Sequence, residues 1–171
     1  MFYVLVYLVA IVAANLSVAY FGPQAVIANA FLLIGLDLTT RDKLHELWHN
    51  DHLWLRMFGL IFAGSIITVI LNVGAWQIAL ASTVAFGAAA VVDAVVYQVL
   101  FKQHKMVKMN GSNVLSAAVD SVLFPAIAFG FPLMWTIMLG QFAAKVLGGL
   151  MWSFLIARTM KPDGAKVVAT D

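Results

Sequence analysis

The chain has 171 residues, of which 63% are hydrophobic and only 11% are charged, and its net charge is +2. A soluble domain has roughly a quarter charged residues, so this composition excludes a protein whose surface lies mainly in water. The chain has no cysteine, which excludes disulfide bonds and thiolate metal sites, and its few basic residues are too scattered for a nucleic-acid-binding surface.

Apolar runs follow one another along the chain, and a helix that spans a bilayer needs about 20 such residues. The first run has no Lys or Arg before it and is too long for the apolar part of a signal peptide, so it is predicted to be a genuine span. The sequence therefore predicts an all-α integral membrane protein, a compact bundle of six transmembrane helices. They are predicted over residues 2–20, 24–36, 53–72, 76–101, 112–130 and 133–157.

The breaks between these runs are of two kinds that alternate along the chain. Some contain turn-forming residues and no charge: Gly22-Pro23, Asn72-Val73-Gly74 and Gly130-Phe131-Pro132. The others are charged: residues 37–52, residues 102–108 with a predicted turn at Asn110-Gly111, and residues 158–171. Residues 1–157 are thus predicted to be one transmembrane domain and residues 158–171 a polar cytoplasmic tail.

The positive charges predict the orientation. The Lys and Arg residues of the charged breaks, together with Arg56 at the start of the third span, fall on the same side of the predicted bundle, and the opposite loops contain none. The positive-inside rule makes that side cytoplasmic, with both termini inside, in the inner membrane of a bacterium. These residues are Arg41, Lys43, Arg56, Lys102, Lys105, Lys108, Arg158, Lys161 and Lys166.

Three ionisable residues, Asp93, Asp120 and Lys145, fall inside the predicted spans and cannot be placed in loops or at the start of a span. An isolated charge at the bilayer centre costs about 3 kcal/mol or more, so such residues normally face the bundle interior. Polar or small residues accompany them at helical spacing, which predicts stripes that converge on a hydrated cavity and favours transport of a small polar molecule. Members of these stripes are Asn15, Asn29, Ser65, Thr68, Asn72, Ser82, Ala89, Asn113, Ser116 and Gln141.

Asp120 and Lys145 both lie near the middle of their predicted helices, so an ion pair between them is expected. Such a pair is compatible both with a structural contact between helices and with a ligand site. Asp93 has no evident cation of its own, which favours a role toward a ligand or a proton. Phe124 and Trp152 are near the polar stripes and could stack on a flat heterocycle, although single aromatic residues are more typical of lipid-facing positions.

These residues, in this order, resemble the queuosine precursor transporter family, also called the VUT family. The resemblance covers residues 10–157 approximately and rests on Asp37-Leu38-Thr39-Thr40-Arg41, Asp93, Ser112-Asn113, Asp120-Ser121 and Lys145. It implies uptake of a 7-deazaguanine base such as 7-cyano-7-deazaguanine, either proton-coupled or facilitative, with no cofactor. The sequence leaves a homodimer open.

The resemblance implies a substrate site in which Asp93 or Asp120 accepts hydrogen bonds from the N1–H and 2-amino groups of the base. Lys145, Asn113 and Gln141 would surround the rest of its polar edge. The ring would lie against Phe124 or Trp152. Asp37 and Arg41, one helical turn apart, are compatible with a solvated helix cap or with a gate, and the resemblance favours the gate. Asp93 is the candidate for proton coupling.

Two alternatives remain. The sequence His45-Glu46-Leu47-Trp48-His49 matches the H-E-x-x-H pattern of zinc proteases, but no third ligand is evident, so a metal site and an enzyme are not predicted. An amphipathic connector with Leu44, Leu47 and Trp48 on the membrane surface is expected instead. The second alternative is the substrate-binding subunit of an energy-coupling-factor vitamin importer, which would dock its partner through Ala10-x-x-x-Ala14.

Overall fold

The computed structural model describes residues 2–48, 52–100 and 105–159, and within these ranges the secondary structure is helical with no strand. Short 3₁₀ turns at Gly22–Gln24 and Val73–Ala75 join some of the helices, and a π-helical turn, Ala30–Ile34, connects α2 to α3 without a break. The helices are α1 (Phe2–Phe21), α2 (Ala25–Asn29), α3 (Gly35–Trp48), α4 (Leu53–Leu71), α5 (Trp76–Val99), α6 (Lys105–Phe129) and α7 (Trp135–Thr159).

Four described segments are long and apolar enough to cross a membrane: Phe2–Arg41, Leu53–Leu71, Val73–Val96 and Gly111–Phe129. The first of them is not a single rod. Asn29 Nδ2 donates to the carbonyl oxygen of Ala14 over 3.2 Å, whereas fifteen residues of straight helix would separate the two by about 22 Å. The chain reverses at Gly22, whose positive φ of 72° suits glycine. The count of six spans and the cytoplasmic location of both termini stay predictions.

The helices enclose a common interior. Contacts run from α1 to α4, then through α5, α6 and α7 to α3, which packs against α1 again. The ring is therefore closed by the hairpin that α1 makes with α2 and α3. Residues that face its centre come from every helix, which is how polar groups distant in sequence reach one site.

The second predicted helix was expected to end before Asp37, and this boundary is wrong because the chain stays helical to Trp48. Asp37, Thr40, Arg41 and Leu44 follow the spacing of one helix face, and all four are buried. Their face packs inside the bundle, so the charged residues extend the helix rather than end it. The expectation that Leu44 lies on the membrane surface is wrong for the same reason, since it packs in an apolar cluster with Tyr7, Ile11, Met57 and Ile61.

The other two residues of the expected surface connector behave differently from each other. Leu47 is exposed, as expected. Trp48 is half-buried, and the guanidinium carbon of Arg56 lies 5.5 Å from the centre of its ring, a distance typical of a cation–π contact. The start of α4 is therefore tied to the end of α3.

The turn expected at Asn110-Gly111 is also wrong, because α6 begins at Lys105 and runs through both residues. One glycine inside a helix costs only about 1 kcal/mol relative to alanine. A Cβ atom on Gly111 would lie 2.9 Å from Leu100 Cδ1, so the missing side chain allows the end of α5 to approach α6. At the C-terminal end α7 extends to Thr159, and the rest of the predicted tail lies outside the described residues.

Glycines bring α7 directly against the backbone of α2 and α3. A Cβ atom on Gly148 would collide with the carbonyl oxygen of Phe31, in the π-helical turn, and one on Gly35 would lie 2.7 Å from the carbonyl carbon of Gly148. Trp152 Nε1 donates to the Leu32 carbonyl oxygen over 2.9 Å at the same crossing. Small residues are what allow membrane helices to approach this closely.

We expect Gly148→Ala to destabilise the protein by about 1–3 kcal/mol, because the new methyl group would have to displace backbone rather than a flexible side chain. The matched control is Gly59→Ala on α4, where a Cβ atom would meet nothing within 4 Å. Thermal unfolding of the purified protein in detergent compares the two. Equal melting temperatures for the two variants would contradict the close crossing.

Candidate functional site

One cavity lies inside the ring of helices and is partly open to the outside; its empty space is about 660 Å³ when the solvent at its opening is counted. Asp93, Asp120 and Lys145 all line it, so the three ionisable residues singled out inside the predicted spans share one cavity. Asp37 and Arg41 line it as well.

Lys145 and Asp120 form the ion pair that their positions predicted. Lys145 Nζ lies 2.5 Å from Asp120 Oδ2, and both side chains are buried. The second carboxylate oxygen, Asp120 Oδ1, is also buried and has no hydrogen-bond partner within the described part of the chain. The pair therefore joins α6 to α7 and still has one acceptor atom available.

A proline on α6 positions this pair through a glutamine on α7. Pro125 lies inside the helix and has no N–H, so the Ser121 carbonyl oxygen one turn earlier loses its helical donor. Gln141 Nε2 donates to that oxygen instead. Gln141 Oε1 then faces Lys145 Nζ at 3.5 Å, so one amide links the proline-modified turn of α6 to the lysine.

Asp93, on α5, differs from Asp120. It is half-buried, and no ion pair joins it to another described residue. Its Oδ1 atom is buried without a hydrogen-bond partner among the described residues. A carboxylate on a cavity wall with an unused acceptor atom can receive N–H groups from a ligand or can take up a proton.

Asp37 and Arg41 are buried, with exposed fractions of 2% and 7%. This burial excludes the solvated helix cap that was one of the two interpretations of the pair. Both side chains line the cavity beside Tyr7, another buried residue. The gating role remains a prediction.

Aromatic residues supply apolar walls that the sequence analysis did not single out. Tyr7, Trp54 and Phe58 line the cavity, and the rings of Trp54 and Phe58 stack with their centroids 6.0 Å apart. In sequence these residues resemble the lipid-facing aromatics that are common in membrane helices. They differ from lipid-facing aromatic residues only in their position on the sides of α1 and α4 that border the cavity.

A second cavity of about 350 Å³ adjoins the first. Asn15, Asn29, Ser82, Phe124 and Gln141 belong to its lining and not to that of the first cavity. Three residues line both cavities: Phe86, Asp120 and Lys145. The predicted substrate site is thus divided, with Asp93 in the first cavity and Phe124 and Gln141 in the second.

Two predicted site residues line neither cavity. The Asn113 carbonyl oxygen accepts a hydrogen bond from Ser116 Oγ at 3.1 Å, which stays within α6. The single N–H of Trp152 is used at the Leu32 carbonyl in the crossing of α7 with the π-helical turn. The structure gives Trp152 a contact between helices, and its ring contact with a substrate stays a prediction.

The polar stripe predicted on the third span, now α4, does not line either cavity. Ser65 Oγ and Thr83 Oγ1 lie 2.5 Å apart, and Asn15 Nδ2 donates to Thr68 Oγ1 at 3.4 Å. Asn72 accepts from the backbone N–H of Gly74 at the following turn. These groups bond neighbouring backbone and helices, as polar residues in membrane proteins often do.

The structure bears on the two alternatives to different extents. Ala10 and Ala14 are 2% and 5% exposed inside the bundle, so the expected docking surface of α1 is covered by the chain itself. In the zinc-protease motif, His49 and the side chains of His45 and Glu46 lie outside the described residues. Within the part of the chain that the structure describes, no group of three His, Asp or Glu residues could hold a metal ion.

Comparison with known proteins identifies one family. A family model described as "Putative vitamin uptake transporter" matches residues 1–158 of the 171. No curated protein and no solved structure matches the chain.

The link from Pro125 to Gln141 can be tested by a double-mutant cycle. We expect Gln141→Ala to destabilise the protein by about 1–3 kcal/mol, because the buried Ser121 carbonyl oxygen would lose its donor. Pro125→Ala returns an N–H to the helix, so Gln141→Ala is expected to cost much less in that background. Thermal unfolding of the four proteins in detergent measures the difference, and an equal cost in both backgrounds would disprove the link.

Proposed function

This chain belongs to the vitamin uptake transporter family, and we propose that its cargo is a queuosine precursor, a 7-deazaguanine base such as 7-cyano-7-deazaguanine. The cavity that contains Asp93, Asp120 and Lys145 is the proposed binding site. The protein would work in the inner membrane of a bacterium as a multi-pass carrier and not as an enzyme.

The observation that best supports this proposal is the unused acceptor atom of Asp93 in a cavity that also contains the Lys145–Asp120 pair. A deazaguanine presents an N1–H and a 2-amino group on one edge, and one carboxylate can accept both. Its carbonyl oxygen needs a donor, which Lys145 can supply. The flat faces of the ring suit the aromatic side chains of Tyr7, Trp54 and Phe58 on the same cavity.

Asp93 is also the proposed site of proton coupling. Protonation would remove its charge and one acceptor, and would therefore weaken its hold on the N–H groups of the base. Asp37 and Arg41 are the proposed gate, since both are buried on the wall of the cavity and are oppositely charged.

We expect Asp93→Asn to reduce uptake of 7-cyano-7-deazaguanine at limiting supply by about tenfold or more, because a hydrogen bond to a charged group contributes about 1.5–3 kcal/mol. The measurement is queuosine in the tRNA of cells that can neither make nor import the precursor and that express the variant. Asp163→Asn removes the same charge from the polar C-terminal segment and is the matched control. Full activity of Asp93→Asn at equal membrane abundance would exclude the assignment of Asp93.

A second experiment separates an autonomous carrier from an energy-coupling-factor subunit. We expect the purified chain alone to transport the labelled base into liposomes. If transport is proton-coupled, an inwardly directed proton gradient should accelerate uptake, and Asp93→Asn should abolish this acceleration. Uptake that appears only when an ATPase partner is added would refute the autonomous mechanism.

A further inference from the structure

The two cavities lie end to end along the bundle. On α5, Ser82 lines only the second cavity, Phe86 lines both, and Asp93 lines only the first. Eleven residues of helix between Ser82 and Asp93 correspond to about 16 Å along the axis. On α1 the sequence order is reversed, since Tyr7 lines only the first cavity and Val18, eleven residues later, lines only the second. Together the cavities therefore extend through a large part of a hydrocarbon layer of about 30 Å.

The boundary between the cavities consists of the residues common to both linings. Lys145 and Asp120 contribute the ion pair, and Phe86 contributes an aromatic ring from α5. While the pair is closed, its two side chains occupy the position where the cavities meet. A molecule that passed from one cavity to the other would have to displace them.

We propose that the second cavity is a second binding chamber on the transport route, for the same planar, uncharged, hydrogen-bonding base, reached when the Lys145–Asp120 pair opens. This inference rests on the proposed function. It adds a site that the sequence had merged with the first one, because Phe124 and Gln141 were expected beside Asp93.

The lining of the second chamber suits a neutral base better than an ion. Asn15 and Asn29 each use one N–H, toward Thr68 and the Ala14 carbonyl, and their amide oxygens accept no hydrogen bond from the described residues. An amide can both donate and accept, which matches the mixed edge of a purine-like ring. Phe124 provides an apolar face, and the charges in this lining are those of the shared pair.

The absence of cysteine from the whole chain makes a direct test simple. Ser82→Cys places one thiol in the second cavity, and Val84→Cys places one on the exposed side of the same helix. Each purified variant is treated with benzyl methanethiosulfonate. Uptake of labelled 7-cyano-7-deazaguanine into liposomes and its equilibrium binding in detergent are then measured before and after treatment.

We expect modification of Ser82→Cys to reduce uptake by about tenfold or more, because a benzyl group attached at residue 82 would occupy the cavity that the base has to enter. Binding should change by less than about threefold, since the first cavity stays free, and a tenfold change would correspond to about 1.4 kcal/mol. Modified Val84→Cys should keep both activities.

Three results would overturn the second chamber. The first is uptake retained by fully modified Ser82→Cys. The second is a thiol at residue 82 that reacts only after unfolding in detergent. The third is loss of binding together with uptake. Failure of the proposed function has a different signature, since neither the wild-type protein nor the unmodified variants would then take up the base.

Discussion

The Lys145–Asp120 ion pair determines how α6 and α7 meet. A lysine or an aspartate alone at this depth in a bilayer would cost about 3 kcal/mol or more, so each residue requires the other. Removing one member of a buried pair usually costs about 3–5 kcal/mol, because the remaining charge has no compensation. The pair thus holds the two helices in one register, and the contacts of Gln141 with Ser121 and Lys145 depend on that register.

The same pair has an acceptor atom that receives no hydrogen bond from the described residues, and this atom connects stability with function. Asp120 Oδ1 and Asp93 Oδ1 are both buried acceptors without a hydrogen-bond partner in the described structure. Unpaired acceptors of this kind are costly in a low-dielectric interior unless a ligand, a proton or water satisfies them. A carrier has a reason to retain that cost, because N–H groups of the cargo can remove it.

The sequence predicted the features that depend on the chemistry of single residues. Asp120 and Lys145 could be paired in advance because charges inside apolar helices need partners, and Gly22-Pro23 marked a chain reversal because glycine can adopt a positive φ. The sequence did not predict features that depend on how helices cross. The buried face of α3 was taken for a charged break at the membrane surface because its charges were assigned to water, whereas the bundle encloses them. The division of the site into two cavities depends on the relative depth of α1, α5 and α6. The pattern of residues within a single helix does not show how deep that helix lies relative to the others.

The crossing of Gly35 with Gly148 limits how α7 can move. Backbone touches backbone there, with no side chain to deform, so α7 cannot move closer to α3 at this point, and a tilt of α7 would turn about it. Lys145 lies one turn from it, at about 4.5 Å along the helix, and Gln141 lies at about 10 Å. A small tilt of α7 would therefore move Gln141 about twice as far as Lys145. The hydrogen bond from Gln141 to the Ser121 carbonyl oxygen would therefore break before the Lys145–Asp120 ion pair separates.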